Sequence, residues 1–392
     1  MKCLFLTAYD LDQTVYAAFG EAVLELSEDL VIQLGARYED YGDGKDTFDP
    51  KLSIQYHVND NLSLRASVQT TFRAPTPNDL DEGSSTALAF VLPALAFKAV
   101  DTTGSPDVDP ESAFTYNFGL VWSSDAMTAS IDYWSFDFKN PIVIESYNQI
   151  IDAFGAPETL VALAAKEARV ATAEEIAKAA AQKEAVQGQV TCAGGVTDGS
   201  CTASGLQRIQ ANIVNGPRTQ TDGIDFYVDY AMELSGMQVN VGVEGSYTLG
   251  YKVDAYSVGG VQIADSFEAA GFYNAGNGIR PIQDLKMRAH ANMAFGSNMN
   301  LLAYVNYISD YDDRRKPDPL FLDVDPRVGI DSQTTMDLHF TTLFLDDDLS
   351  LTVSAINVTD EDPPRAYGDL MYDGYTHNPL GRLFKVGFKY GF

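Results

Sequence analysis

Leu30-Val31-Ile32-Gln33-Leu34-Gly35-Ala36-Arg37-Tyr38-Glu39-Asp40-Tyr41 is the stretch from which the fold is read. Ile32, Leu34, Ala36 and Tyr38 fall on one side of an extended chain, and Gln33, Gly35, Arg37 and Glu39 on the other. Successive side chains of a strand point to opposite faces, so a period of two marks a strand with one apolar and one polar face. The run exceeds the usual five or six residues of a globular strand. It suits a tilted strand that must cross a bilayer, which needs about 9–11 residues.

The pattern recurs along the chain. Leu62, Leu64, Ala66 and Val68 oppose Ser63, Arg65, Ser67 and Gln69. Phe226, Val228, Tyr230 and Met232 oppose Asp225, Tyr227 and Asp229, while Val239, Val241 and Val243 oppose Asn240, Gly242 and Glu244. Met336, Leu338 and Phe340 oppose Asp337, His339 and Thr341. A soluble sandwich alternates in the same way, so the connections decide. Short turns stand near Ser27-Glu28-Asp29, Asn59-Asp60, Ser124-Asp125, Ser235-Gly236, Ser297-Asn298 and Asp346-Asp347-Asp348. Between them run long loops at 41–47, 73–111, 139–217, 252–282, 311–331 and 360–381. Short turns at one end of each hairpin and long loops at the other are the layout of an outer-membrane barrel. The expected fold is all-β, a transmembrane antiparallel β-barrel. About 13 strands are counted, and an odd number cannot close with every neighbour antiparallel, so further strands upstream are expected.

Composition points the same way. Of 392 residues, 45% are hydrophobic, and Tyr (21), Phe (21) and Gly (31) suit strands and aromatic girdles. No window holds the roughly 18 consecutive apolar residues of a membrane helix. Thr86 to Val100 and Leu160 to Val186 come nearest and are interrupted by proline or charges. A net charge of −29 speaks against a nucleic-acid partner, which needs Lys and Arg in excess. The acid gathers in presumed loops, Asp310 to Asp325 and Asp360 to Asp373, and reads first as solvated surface and second as a cation-binding loop.

The loop from Asn140 to Pro217 departs from the pattern. Pro157 to Val186 is rich in Ala, Glu and Lys and predicts one or two helices, with Thr172-Ala173-Glu174-Glu175 as a capping box. A surface cover for the loop is the first reading of this helical insertion and a substrate lid the second. Cys192 and Cys201 lie in a Gly/Thr/Ser-rich stretch, close enough to close a small loop, and a disulfide there fits an oxidising compartment. Zinc is not expected, because no Cys or His stands at ligand spacing, and Cys3 is left over. Met1-Lys2-Cys3-Leu4-Phe5-Leu6 offers only a short apolar run where a secretory signal needs about 7–15 residues. The signal peptide is therefore expected to be missing and the chain to be a fragment.

Several stretches resemble a known family. Thr71-Phe72-Arg73-Ala74-Pro75-Thr76-Pro77-Asn78-Asp79-Leu80 resembles the FRAP…L stretch of TonB-dependent receptor barrels, and Asp109-Pro110-Glu111-Ser112 the PE that opens their next strand. Thr221-Asp222-Gly223-Ile224-Asp225, Ile356-Asn357-Val358-Thr359-Asp360 and Gly381-Arg382 resemble later motifs in the family's order. The ending Lys385-Val386-Gly387-Phe388-Lys389-Tyr390-Gly391-Phe392 is similar to the insertion signal of outer-membrane barrels, carried by Lys385, Gly387, Tyr390 and Phe392. Phe384, Val386, Phe388, Tyr390 and Phe392 would form its lipid-facing row.

The resemblance implies that residues 1–392 form about the last 13 strands of a 22-stranded barrel, with the plug domain absent. It implies TonB-energised uptake of a scarce solute (siderophore, vitamin or oligosaccharide-like ligand); the alternatives are a passive porin-like channel and a non-functional barrel remnant. The implied setting is the bacterial cell outer membrane. Implied partners are outer-membrane lipid and lipopolysaccharide, the barrel-assembly machinery, a small-molecule ligand, and the TonB complex only through the missing plug. Ligand contacts are expected in the loops beginning at Arg73 and Asn140. Trp134, Tyr147 and Tyr251 are candidates for stacking on a ligand, girdle packing being the first expectation for each. No enzyme activity, cofactor or metal is expected: His57, His290, His339 and His377 are scattered and form no Ser/His/Asp or metal pattern, which leaves them to line the lumen or loops.

Overall fold

The computed structural model describes residues 12–42, 44–198, 200–274, 278–313, 329–345, 348–366 and 370–391. The leader reading at Met1 to Leu6, Cys3, much of the 311–331 loop, Asp346-Asp347 and Phe392 lie outside the described residues.

Thirteen strands follow one another in a single sheet in sequence order. They are β1 (Tyr16–Glu25), β2 (Leu30–Asp40), β3 (Asp46–His57), β4 (Leu62–Arg73), β5 (Glu111–Ser123), β6 (Met127–Lys139), β7 (Thr219–Leu234), β8 (Met237–Val253), β9 (Leu285–Phe295), β10 (Met299–Ile308), β11 (Gln333–Phe344), β12 (Leu349–Ile356) and β13 (Leu383–Tyr390). Each step of the path is antiparallel, so β1 and β13 run in the same direction. Both are exposed along their whole length.

Register turns the alternation into two faces. Leu64, Leu120, Ile131 and Phe226 stand side by side across β4, β5, β6 and β7. One residue along, the neighbours are Arg65, Gly119, Asp132 and Asp225. The first row is apolar and lies open, with Leu64 42%, Leu120 40% and Ile131 50% exposed. Such a row is at rest against hydrocarbon, and the second row faces the lumen. The short-turn end is built as tightly as the sequence allows. Leu234 pairs with Met237, and Ser235 (φ 53°) and Gly236 (φ 77°) both take the left-handed region that a two-residue hairpin turn demands.

Across the inner wall, Arg65 reaches over Gly119 to Asp132, with Nε donating to Oδ1 at 2.7 Å and Nη2 to Oδ2 at 2.5 Å. A Cβ on residue 119 would collide with both partners.

The large connections are not plain loops, and this corrects the sequence reading. A hairpin of Ser84–Val91 and Ala96–Thr103 joins, through its second strand, a parallel pairing with Leu206–Asn215. That strand also pairs with Val190–Cys192 and Ile142–Ile144. Helices α1 (Tyr147–Phe154), α2 (Ala156–Lys166) and α3 (Ala173–Val186) belong to the same unit. Val91, Val100, Ile150, Phe154, Leu206 and Ile209 are buried in its core. The predicted capping box at Thr172 and Glu175 is present on α3. Helix α1 escaped prediction because it is only eight residues long; its start is fixed by Ser146, whose hydroxyl accepts from the Gln149 amide.

Replacing Gly119 with Val is expected to lower barrel stability by about 1–3 kcal/mol, since it overpacks the wall and parts the Arg65–Asp132 pair. Gly20→Val, where nothing lies within 4 Å of the added Cβ, should leave the urea midpoint in detergent micelles unchanged.

Candidate ligand-binding face

The two loops expected to touch ligand share one root. Arg73, the last residue of β4, forms a two-bond pair with Glu111, the first of β5, at 2.9 Å for both Nε–Oε1 and Nη2–Oε2. The same guanidinium donates to the Ile142 carbonyl at 2.8 Å, and Glu111 accepts from the Ile142 amide at 2.7 Å. Close by, the Asn215 amide group donates to the carbonyls of Asp109 and Asn140, both at 2.9 Å. The Arg of the FRAP stretch and the Glu of the PE thus have a physical purpose. They clamp the cap to the rim of the barrel.

Higher up, the cap is tied to the next long loop. Glu145 is 6% exposed and accepts from the Gln189 side chain (2.6 Å), the Asn212 amide (2.9 Å) and the Tyr256 hydroxyl (2.7 Å). Burial, and then the charge of Glu145, pushes the Tyr256 phenol well above its ordinary range. Tyr256 and Val258 belong to the hairpin Tyr256–Val258/Val261–Ala264, which leans on the cap core with Ile263 buried there. Cys192 and Cys201 stand in the same cap with Cα atoms 6.3 Å apart, within the span of a disulfide.

A second polar knot joins the last two long loops. The Tyr311 hydroxyl donates to Asp373 at 2.7 Å and lies 3.1 Å from Nε2 of His377, whose Nδ1 is 2.8 Å from the Gln333 side-chain oxygen. Burial drives the His377 pKa down, against the opposing pull of Asp373. His57, His290 and His339 stand on inner-wall positions, with His290 2.9 Å from Asn240 and 3.1 Å from Asp229. Among the described residues, no group of three His, Cys, Asp or Glu is placed to hold a metal.

The stacking candidates part company. Tyr147 opens α1 and packs on the cap core. Tyr251 pairs with Thr221 on the inner face of β8. Trp134, expected first in a girdle, instead faces inward: it is paired with Asn117 and Gly223 and donates Nε1–H to Asp225 at 3.0 Å. Phe136 and Phe138 follow it on the same face, with ring centroids 5.7 and 5.9 Å apart in succession. Tyr116 and Tyr133 of β5 and β6 take the outward face instead, with ring centroids 6.0 Å apart. At the closing strand, Lys385 and Gly387 pair with inward Ser354 and Thr352, while Phe384, Val386, Phe388 and Tyr390 form the outward row.

The family profile described as TonB dependent receptor-like, beta-barrel, matches residues 5–358. The chain belongs to the TonB-dependent receptor barrel family. Barrels of this family are outer-membrane proteins. A probable TonB-dependent siderophore receptor, PirA of Acinetobacter baumannii, is 24% identical over 134 residues, which cover 34% of this chain and 18% of that protein. The crystal structure of siderophore receptor PirA from A. baumannii superposes with a TM-score of 0.62 at 15% identity, over 99% of this chain and 47% of that one. A mutant of the ferric enterobactin receptor of Pseudomonas aeruginosa, solved in complex with enterobactin, gives 0.62 at 14% identity, over 96% of this chain and 45% of that one. This TonB-dependent receptor barrel therefore spans about half the length of its solved relatives, and these likenesses speak to its fold.

Removing the anchor of the cap by Glu145→Ala leaves three donors without their acceptor. A loss of about 2–4 kcal/mol is expected in the cap alone, read as faster limited proteolysis within 139–217 while the barrel strands stay protected. A second expectation concerns Glu175, whose carboxyl is held to about 2 by Arg169, followed by its bonds to Thr172. Because that pKa is depressed, the stabilisation is complete above the ordinary carboxylate value and is lost as pH falls through about 2. Arg169→Ala should move the Glu175 titration upward, as followed by the carboxyl carbon resonance.

Proposed function

We propose that the chain is the barrel part of an outer-membrane receptor that imports a scarce solute, with a siderophore-type iron chelate as the leading ligand class. The observation that carries this reading is the clamp at Arg73, Glu111 and Ile142, which joins a folded cap to the end of strands that carry a polar inner face. A passive pore gains nothing from such a cap, whereas a receptor needs a shaped surface that captures ligand and then moves. The names of the similar receptors favour an iron chelate among the possible solutes.

The reading includes an N-terminal plug, outside this chain, that fills the lumen and meets the TonB complex. It places the outward row in outer-membrane lipid and lipopolysaccharide, and gives Lys385, Gly387 and Tyr390 of β13 to recognition by the barrel-assembly machinery. It also includes a Cys192–Cys201 disulfide closing the tip of the cap, formed in an oxidising compartment.

The test is uptake of labelled iron chelates by a Gram-negative host stripped of its own siderophore receptors and carrying the gene in its full reading frame. Uptake that saturates and vanishes when TonB is deleted is expected. Uptake that persists without TonB would make the barrel a passive channel and overturn the proposal.

A further inference from the structure

We infer that Asn357, Asp360, Gly381 and Arg382 form a clasp that sets the register of the closing strand β13 on β12, in place of the tight turn that this hairpin lacks. Such a clasp acts in barrel assembly, whatever the barrel carries. Strand register is ordinarily fixed by the apolar pattern and by the turn. Here neither suffices. Outward Phe384, Val386, Phe388 and Tyr390 alternate with inward Lys385, Gly387 and Lys389, and β12 alternates Leu351, Val353 and Ala355 with Ser350, Thr352 and Ser354. A slip of one residue turns every side chain to the wrong face, but a slip of two sets apolar against apolar and polar against polar again. The connection does not decide either. The segment between Ile356 and Leu383 is far longer than a two-residue hairpin turn, and a long loop closes at nearly the same entropic cost in both registers.

The missing constraint stands directly beyond the last ladder pair, Ile356 and Leu383. Asp360 Oδ1 accepts from the Arg382 amide at 2.7 Å, and Arg382 Nη1 donates to the Val358 carbonyl at 3.1 Å. Buried Asn357 braces the turn from within, donating Nδ2 to the Glu361 carbonyl at 2.9 Å and accepting from the Glu361 amide at 3.0 Å. The turn is moored on β11, where the Met336 carbonyl accepts from the Val358 amide (2.7 Å) and Asp337 Oδ1 from the Asn357 amide (2.8 Å). Gly381 takes the left-handed φ of 60°, and a Cβ there would stand 3.0 Å from Asp360 Oδ1, so glycine is needed on both counts. The charge contact between Arg382 and Asp360 is long, 3.7 Å, and half-exposed, and contributes little by itself. The bonds into the backbone are what select the register. A slip of two residues moves the Arg382 amide by about 6.6 Å, out of reach of Asp360.

Two other long mouth loops are closed at the foot in the same way. Arg73 pairs with Glu111 across 73–111, and Arg218 Nε donates to Asp137 Oδ1 at 2.6 Å across 139–217. The tight turns at the opposite end of the strands carry no such pair at Ser235-Gly236, where the turn itself sets the register.

Register is read by cysteine cross-linking in a Gram-negative host that carries the gene in its full reading frame. Lys389→Cys is the common partner: with Ser350→Cys it reports the native register, and with Thr352→Cys or Asp348→Cys a slip of two residues either way. With the clasp intact, only the native pair is expected to cross-link. Asp360→Ala should raise the slipped share about tenfold, the worth of one hydrogen bond to a charged group. Asp360→Asn keeps an accepting oxygen and should hold the native register. Replacing residues 363–379 by a Gly/Ser run of equal length leaves the clasp in place and should hold it too. Native cross-linking that Asp360→Ala leaves unchanged overturns the clasp. Slippage in the chain with the replaced segment also overturns it, because the folded connection would then be what sets the register. If Asp360→Ala gives no barrel by heat-modifiability, Arg382→Ala, which removes the bond to Val358 and keeps the amide, is read with the same pairs and the same two outcomes.

Discussion

Every backbone amide and carbonyl that enters hydrocarbon must find its partner within the protein. The rest of this structure follows from that demand. It requires long strands in uninterrupted antiparallel register, and register in turn fixes faces: once Leu64 stands beside Leu120 and Ile131, Arg65 must share a side with Asp132. The apolar row is then free of polar obligations, and the polar row satisfies itself inside, as Arg65–Asp132 and His290–Asp229 do. Glycine at 119 and 242 lets these side chains cross an intervening strand, because a Cβ at either place would meet them.

The barrel was legible because its code is local. Period two in runs such as Leu30–Tyr41 and short turns such as Ser235-Gly236 need no knowledge of distant residues, and the strands lie where the pattern places them. Helix α3 was equally plain, since Thr172 and Glu175 announce its start. The cap was hidden for the opposite reason. Its central strand, Leu206–Asn215, is stabilised by Ala96–Thr103, more than a hundred residues upstream, in a parallel pairing that no neighbouring turn announces.

Strand β6 shows where alternation itself becomes ambiguous. Trp134, Phe136 and Phe138 occupy one face, while Ile131 and Tyr133 occupy the other. Both sets look fit for lipid, so hydropathy does not set the phase. The deciding fact is Asp132, which must meet Arg65, and that contact spans 67 residues of sequence. Candidate ligand loops could be named from the long gaps between strands, but their shared clamp at Ile142 depends on tertiary contact. Arg73 and Glu111 were visible as motif letters, without their mechanical meaning.

The cap has a hydrophobic core of its own, whereas the barrel wall, the inward rings of β6 aside, has apolar rows turned outward. It meets that wall through a compact set of bonds at Arg73, Glu111, Asn140 and Asn215. Natural selection can therefore treat the two parts differently. On the receptor reading proposed above, drift in the cap's outer surface would alter what is recognised without disturbing the staves, whose alternating pattern is set by the demands of their two faces. On the proposed reading, recognition and anchorage are carried on one chain by parts that are free to change separately.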